Sequence, residues 1–341
     1  MTIKPSTSDL LRVVTDRTLD YDFTVWFWGD AIAVDGILDA AEALDDDRAL
    51  AHVERFLVAW SQRELGWVDH LTPGSALLRL WDRGRDGQLL DAALRLARRL
   101  NEATPRAAGA PLYRPDLPPY RHAVWVDTIY HVPPFYAALA QATGDDCWFD
   151  AAVREWTSHT ALLRSGQGPF LGHSYDTGMR CLHGYGWGRG VGWALYGMVE
   201  TLALLPAAHS DHERLTAEAV ELADEVLALQ DESGFWRTLL HDRESYLESS
   251  TASFFAAAFL SGVRNGVLPE RFRDAADRAM TATRSRIDAA GEFWGVSACT
   301  YAGVVNMDDA TMYRTLPTEV NVWGQGSALR ALAEQLKVEG S

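Results

Sequence analysis

Two aspartates, each in a Trp-Val-Asp triplet, are the residues whose type and setting first indicate chemistry. Asp69 lies in WVDHLTPG and Asp127 lies in WVDTIY, so both adjoin apolar side chains. Two carboxylates that meet in one pocket raise the pKa of one of them, which suits a general acid at neutral pH. The alternative, in which each aspartate only caps the helix that follows it, is also compatible with the local sequence.

A glycine-rich segment, GYGWGRGVGW at 184–193, contains the second candidate, Arg189. Glycines allow the backbone to approach a ligand closely, and an arginine suits bidentate binding of a carboxylate. We therefore predict that Arg189 binds an acidic group of a substrate, with a structural arginine at a helix C-terminus as the alternative. His173, in GHSYD, is a weaker candidate, because a lone histidine is more often structural and the spacing is too sparse for a metal site.

Tryptophan is abundant, with 13 residues in a chain of 341. Several lie in short segments rich in Gly, Trp, His and Asp, such as VWFWGD at 25–30. The aromatic faces of Trp and Tyr can stack on the apolar faces of sugar rings, while carboxylates and histidine bond hydroxyl groups. The pattern favours a carbohydrate-binding site. The alternative is that these tryptophans only fill the protein interior.

Composition excludes several classes of function. The formal net charge of -16 argues against nucleic-acid and anionic-membrane partners. Lysine occurs only as Lys4 and Lys337, so there is no phosphate-binding GxxxxGK[ST] loop and no interior lysine for a Schiff base. Cys147, Cys181 and Cys299 are too widely spaced to indicate a disulfide framework or a zinc site. Because no secretory or membrane-spanning pattern is recognised, we expect a cytoplasmic protein with free thiols.

The elements that position these residues are predicted to be helices. Ala- and Leu-rich stretches with 3.6-residue periodicity begin near residues 30, 74, 128, 190, 250 and 322, and a second helical stretch follows each of the first five. An N-terminal helix over about 8–19 supplies the missing sixth partner. Twelve helices that close on themselves predict an all-α fold, an (α/α)6 barrel, as a single domain over 1–341. The candidate segments precede or open the first helices, so they can meet at one mouth of the barrel.

Over about residues 20–335, the chain resembles the unsaturated uronyl hydrolases of glycoside hydrolase families 88 and 105, most closely the unsaturated rhamnogalacturonyl hydrolases of family 105. The motifs that carry the resemblance occur in this order: WVDHLTPG, WVDTIYHVPPF, GHSYD, WGRGVGW, LQDESGFW, YLESSTASFF and VWGQGSALRAL. The fold of these families is an (α/α)6 barrel, as the helix count also indicates.

The resemblance implies a role for each candidate. Asp127 would be the general acid/base and Asp69 the second carboxylate of the pocket. The implied substrate contacts are His173, Arg189, Trp125, Trp187 and Trp193. Members of these families act on the 4,5-unsaturated uronic acid that polysaccharide lyases leave at a non-reducing end. They hydrate its C4=C5 double bond and require no metal or organic cofactor.

Several points stay open at this stage. The residues do not distinguish a galacturonyl from a glucuronyl substrate, a monomer from a homodimer, or the role of His131 and of the Pro-rich loop at 105–122. A sugar epimerase of the N-acylglucosamine type is an alternative with the same barrel, but the expected pair of histidines is not recognised. A non-catalytic carbohydrate-binding barrel is a third possibility, and it would not need a buried pair of carboxylates.

Overall fold

The computed structural model describes residues 5–23, 28–66, 73–164, 168–300 and 309–340. Asp69 and Trp67 lie outside these ranges. The α-helices of the described chain are α1 (Thr7–Leu19), α2 (Trp28–Leu44), α3 (Asp47–Ser61), α4 (Gly74–Gly84), α5 (Gly87–Arg98), α6 (Thr128–His131), α7 (Pro133–Thr143), α8 (Cys147–Leu163), α9 (Gly188–Leu204), α10 (His212–Leu227), α11 (Ser249–Arg264), α12 (Arg273–Arg284), α13 (Asp309–Thr315) and α14 (Val322–Glu339).

Six of these helices form a closed inner ring. Around the ring, α2 contacts α4, α4 contacts α7, α7 contacts α9, α9 contacts α11, α11 contacts α14, and α14 returns to α2. Each inner helix also packs against an outer helix: α3, α5, α8, α10 and α12 lie behind the first five, and α1 lies behind α14. The predicted (α/α)6 barrel is therefore confirmed.

The two rings follow from different sequence patterns. The outer helix α5 buries Leu89, Ala92, Ala93, Leu96 and Ala97, which recur at the three- and four-residue spacing of one helix face. The inner helices α2, α9, α11 and α14 are instead buried on nearly all sides, so they use small residues where two of them approach closely. A side chain at Gly326 of α14 would place its Cβ only 2.6 Å from the backbone nitrogen of Ala33 in α2.

The N-terminal and C-terminal helices meet, as the sequence predicts. The Thr7 hydroxyl donates to Glu339 at 2.7 Å, across the contact between α1 and α14. The buried apolar residues form one cluster that extends from Leu10 to Ala333. The single domain over 1–341 stays a prediction. Among the described helices, none has the length and apolar character that crossing a bilayer would require.

The third inner helix differs from its predicted form. The sequence pattern places one helix start near residue 128, but the chain forms the single turn α6 and then a separate helix, α7. The interruption falls at Val132, directly before two prolines, Pro133 and Pro134. Because a proline lacks the backbone N–H that a continuing helix needs, α7 begins at Pro133 and α6 ends one turn after Asp127.

Short strands join the helices at one end of the barrel. They are β1 (Arg106–Ala107), β2 (Ala110–Pro111), β3 (Ala123–Trp125), β4 (Ser174–Asp176), β5 (Cys181–His183), β6 (Trp236–Arg237), β7 (Leu247–Glu248), β8 (Val296–Ser297) and β9 (Thr318–Glu319). The largest of these sheets is the antiparallel β3-β4-β5. Its pairing of Trp125 with Ser174 brings two of the motifs from the sequence side by side.

Candidate active site

The β3–β4 pair places Asp127 next to His173. Beyond the last strand pair, the backbone N–H of Val126 donates to the carbonyl of His173 at 3.0 Å. The next residue, Asp127, turns the chain into α6, and its side chain lies at the N-terminal end of the inner ring. His173 Nε2 is 3.8 Å from Asp127 Oδ2. Two side chains that are 46 positions apart in the sequence therefore face each other.

Asp127 is a buried carboxyl group and not a helix cap. It occupies the N-cap position of α6, but its side chain accepts no hydrogen bond from the first turn. The residue is only 2% exposed. Burial raises the pKa of Asp127 to about 7, although its own backbone N–H and the charge of Arg189 act in the opposite direction. Such a carboxyl is half protonated near neutral pH and can donate a proton.

His173 is held in place by a tyrosine from a distant part of the chain. Its Nδ1 lies 2.6 Å from the hydroxyl oxygen of Tyr313, in α13. Burial keeps the pKa of His173 well below its ordinary value, so the ring is neutral at pH 7. A neutral imidazole has one N–H and one acceptor nitrogen. Because Nδ1 is engaged by Tyr313, the atom that His173 presents toward Asp127 is Nε2.

Aromatic rings surround this pair. The Trp187 ring centroid lies 4.0 Å from that of His173, and the Trp125 ring meets His173 edge-on at 4.4 Å. Tyr113, from the Pro-rich loop, stacks on Trp125 at 4.5 Å and an interplanar angle of 19°. The rings exclude water from Asp127, which is the physical origin of its raised pKa.

Arg189 is completely buried and bonds to the strand that borders the site. Its Nη1 donates to the carbonyl of Ser297 at 2.9 Å and to the Ser297 hydroxyl at 2.7 Å, and its Nη2 donates to the carbonyl of Ala298 at 3.1 Å. The guanidinium also lies over the Trp187 ring, 4.8 Å from its centroid. Arg189 therefore has a structural role. Its predicted contact with a substrate carboxylate stays a prediction.

A buried glutamate, Glu248, completes this arrangement. It caps α11 by accepting from the Thr251 backbone N–H at 2.6 Å, and it also accepts from the backbone N–H of Ser297 at 2.8 Å. Its Oε1 is 3.9 Å from Arg189 Nη1. Glu248 and Arg189 therefore hold β8 against the ends of two inner helices.

The glycines around Arg189 have another purpose than the one the sequence indicates. A Cβ at Gly190 would lie 2.5 Å from the Trp187 ring, and a Cβ at Gly192 would lie 2.7 Å from the Cβ of Phe254. The prediction that these glycines admit a ligand to the backbone is wrong for these two positions. Their missing side chains instead make room for protein side chains inside the ring.

Trp193 lies deeper in the barrel than the other candidates. It is 0% exposed and packs against Phe254, with ring centroids 4.4 Å apart, and against Tyr130 at 4.9 Å. The structure brings together Trp125, Asp127, His173, Trp187 and Arg189 but surrounds Trp193 with core aromatics. Asp69 lies outside the described residues, so its place beside Asp127 stays a prediction.

The predicted site residues share a second property. In the part of the chain that the structure describes, each has a buried polar atom without a hydrogen-bond partner. These atoms are Trp125 Nε1, Asp127 Oδ2, His173 Nε2, Trp187 Nε1, Arg189 Nε and Trp193 Nε1. Buried polar groups are normally paired, so the unpaired groups of Trp125, Asp127, His173, Trp187 and Arg189, which lie close together, are typical of a site for a polar ligand, whereas Trp193 lies apart from them.

Three contributors to the site do not emerge from the sequence. Tyr313 lies in a short helix without a strong pattern, and Tyr113 lies in the loop at 105–122 to which no role could be assigned. Glu248 belongs to YLESSTASFF, one of the motifs of the resemblance, but a glutamate before serines reads as an ordinary helix cap. These three residues are recognised as part of the site only through their contacts across the barrel.

The fold and this site together define a class of protein: an (α/α)6-barrel enzyme with a buried acid at the mouth of its inner ring. Residues 10–339 match the profile of Glycosyl Hydrolase Family 88, and the chain belongs to this family. It is therefore a glycosidase, and the resemblance drawn from its motifs is confirmed.

Known proteins resemble this chain in both sequence and structure. The unsaturated rhamnogalacturonyl hydrolase YesR of Bacillus subtilis is 28% identical over 346 aligned residues, which cover 98% of this chain and 95% of that protein. The crystal structure of a possible member of the GH105 family from Klebsiella pneumoniae has a TM-score of 0.86 at 20% identity, covering 99% of this chain and 95% of that one. For the unsaturated glucuronyl hydrolase of Bacillus sp. GL1 the TM-score is 0.70 at 18% identity, with coverage of 95% and 94%. At this level of sequence identity, the similarity to the two solved structures shows a shared fold.

Proposed function

We propose that this protein releases a 4,5-unsaturated uronic acid from the non-reducing end of oligosaccharides that polysaccharide lyases produce. The observation that carries the proposal is Asp127, a buried carboxyl group with a pKa raised to about 7 and an Oδ2 that has no hydrogen-bond partner among the described residues. A proton donor of this kind is what the protonation of an enol ether near neutral pH needs.

The proposed reaction uses this one carboxyl group twice. Protonated Asp127 delivers its proton to C4 of the C4=C5 double bond, and positive charge develops at C5 and the ring oxygen. The resulting carboxylate then accepts a proton from water while the water oxygen bonds to C5. One proton enters and one leaves, so Asp127 returns to its starting form. The hemiketal at C5 opens to a ketone, the ring breaks, and the rest of the oligosaccharide leaves from C1.

The neighbouring side chains would bind and orient the sugar. The indole N–H groups of Trp125 and Trp187 and the Nε2 of His173 are the buried polar atoms available to sugar hydroxyls. Arg189 supplies positive charge, which acts on Asp127 and would attract the uronate carboxylate. Asp69 is proposed as the second carboxylate. The proposal requires no metal or organic cofactor.

The identity of the substrate rests on relatives. YesR is named an unsaturated rhamnogalacturonyl hydrolase, and a relative from Alteromonas sp., 25% identical over 219 aligned residues that cover 62% of this chain and 51% of that protein, is named an unsaturated 3S-rhamnoglycuronyl hydrolase. We therefore propose a rhamnose-linked unsaturated uronide as the first compound to test. We also propose that the reaction occurs in the cytoplasm, because Cys147, Cys181 and Cys299 are free thiols.

The test is the loss of ultraviolet absorbance when the conjugated double bond is hydrated, measured over a panel of lyase-generated disaccharides. Compounds linked to rhamnose and to other sugars distinguish the leaving sugar, whereas the unsaturated uronyl group is the same whether it derives from galacturonic or from glucuronic acid, because elimination removes the stereocentre at C4. A reaction in deuterated water should place deuterium at C4, since the proton comes from the exchangeable carboxyl group. If no disaccharide loses its absorbance, or if C4 of the product carries no label, the proposed function is wrong.

A further inference from the structure

A cavity of about 660 Å³ lies at the end of the barrel opposite the candidate active site. Its walls come from the C-terminal halves of the inner helices, including α2, α9 and α14, and from α6. Trp125, Asp127, His173, Trp187 and Arg189 do not line this cavity, although the neighbouring Tyr130 and His131 of α6 do. The proposed hydration of an unsaturated uronide therefore uses no described side chain of the cavity wall.

A network of charged side chains occupies the wall of this cavity. Asp39 Oδ1 is 2.8 Å from Arg79 Nη2, and Asp39 Oδ2 is 3.1 Å from Arg330 Nε. Arg79 also pairs with Glu42 at 2.7 Å, and Arg330 pairs with Glu200 at 3.1 Å. Both guanidinium groups are thus already shared between carboxylates. Although burial acts to raise it, the two arginines hold the pKa of Asp39 at about 2, so this residue is ionised.

Asp35 is a member of the network that lacks a complete set of hydrogen-bond partners among the described residues. It lies one helical turn before Asp39 on the same face of α2, lines the cavity and is only 8% exposed. Its Oδ2 accepts from the Tyr130 hydroxyl at 3.0 Å. Its Oδ1 is buried and has no hydrogen-bond partner in the part of the chain that the structure describes. Buried carboxylate oxygens are normally paired, so this oxygen marks a position for a donor.

The balance of charge indicates which donor fits. The described lining of the cavity contains six acidic side chains and five basic ones: Asp35, Asp39, Glu42, Asp82, Glu200 and Glu334 against Arg79, Arg85, Arg264, Arg330 and Lys337. Burial raises the pKa of Asp35, although Arg330 and Arg79 act in the opposite direction. An additional positive charge beside Asp35 would therefore stabilise its ionised form and balance the charge of the lining. Among the described residues, no group of three or more His, Cys, Asp or Glu side chains is arranged to hold a metal ion. An organic ammonium group fits the position beside Asp35, because it carries one positive charge and can donate up to three hydrogen bonds.

The size and lining of the cavity indicate what kind of molecule would carry the ammonium group. A volume of about 660 Å³ lies within the range of small-molecule pockets and exceeds the needs of a simple cation. The wall also contains the amide side chains of Gln141 and Asn265 and the partly exposed indole of Trp81. We propose that the cavity binds a small hydroxylated primary amine of amino-sugar size, whose ammonium group donates to Oδ1 of Asp35.

Isothermal titration calorimetry at about pH 6.5 with glucosamine, glucose and N-acetylglucosamine tests the proposal. The amine is protonated in the first sugar and absent or acylated in the other two. We expect glucosamine to bind the wild type at least about 10-fold more tightly than either comparison sugar, the usual minimum for a buried charge-assisted hydrogen bond. Equal affinities, or no binding of glucosamine, would overturn the proposal.

Two variants locate the binding. Asp35→Asn keeps the shape of the side chain but removes its charge, and it should weaken glucosamine binding at least about 10-fold. Asp82→Asn is the matched control, because Asp82 lines the same cavity but is exposed and paired with Arg85 at 2.7 Å. The affinity of the Asp82→Asn variant for glucosamine should equal that of the wild type. Unchanged affinity in a folded Asp35→Asn protein would contradict the proposal. If that variant does not fold, the affinities of the wild type for the three sugars decide whether the proposal holds.

Discussion

Replacing Asp127 by Asn should inactivate the protein and, at neutral pH, stabilise it. The substitution keeps the size of the side chain but removes the exchangeable carboxyl proton. We expect the turnover number to fall at least about 100-fold, the low end of general acid–base contributions. Binding of the unsaturated disaccharide should persist, because the aromatic surroundings of residue 127 are retained.

The effect on stability follows from the raised pKa. Burial raises the pKa of Asp127 from 3.8 to about 7, so the folded protein holds this proton more tightly than the unfolded chain does. The resulting contribution to the free energy of unfolding is complete below about pH 4 and is lost as the pH rises to about 7. A difference of about 3 pKa units corresponds to about 4 kcal/mol. The Asn variant has no such proton to lose, so its stability relative to the wild type should increase by about that amount over the same pH range.

Two assays check this prediction. Ultraviolet absorbance measures turnover, and urea denaturation from pH 4 to pH 8 measures the free energy of unfolding. Asp91→Asn, at an exposed position of the outer helix α5, is the control and should differ from the wild type by the same amount at every pH. Turnover close to that of the wild type would refute the catalytic role. A stability difference between Asp127→Asn and the wild type that does not change with pH would refute the reasoning from burial.

Three further predictions concern the same site. Because protonated Asp127 is the donor, kcat/KM should be constant below about pH 7 and fall up to about tenfold per pH unit above it, and initial rates that rise above pH 7 would contradict this. Tyr313→Phe removes the hydrogen bond to Nδ1 of His173 and should lower kcat/KM about 10-fold in a folded protein, so unchanged steady-state kinetics would exclude a positioning role. Arg189→Ala should lower the free energy of unfolding by about 3 kcal/mol, measured in urea, because Glu248 loses its buried cation. If Arg189 also attracts the uronate carboxylate, KM should rise roughly 10- to 150-fold, and a stability loss with unchanged KM would assign it a structural role alone.

The helical architecture could be predicted from the sequence because it depends on local patterns. The periodicity of apolar residues places the helix starts, and a count of helical hairpins is enough to indicate a closed ring. The exception is the split between α6 and α7, which depends on a local signal as well, the two prolines Pro133 and Pro134. The order of the motifs around Asp127, His173 and Arg189 was sufficient to indicate the family.

The chemistry of the individual side chains depended on contacts between distant parts of the chain. Whether Asp127 was a cap or a buried acid stayed open in the sequence, since burial comes from rings that the fold brings around it. The hydroxyl that holds His173 is 140 positions away, and the carbonyl that engages Arg189 is 108 positions away. No local pattern predicts such a partner. By itself, the sequence therefore determined the ring of helices and pointed to Trp125, Asp127, His173, Trp187 and Arg189 as residues near its mouth. Only the tertiary structure decided their protonation and their hydrogen-bond partners, because both depend on what surrounds a buried group.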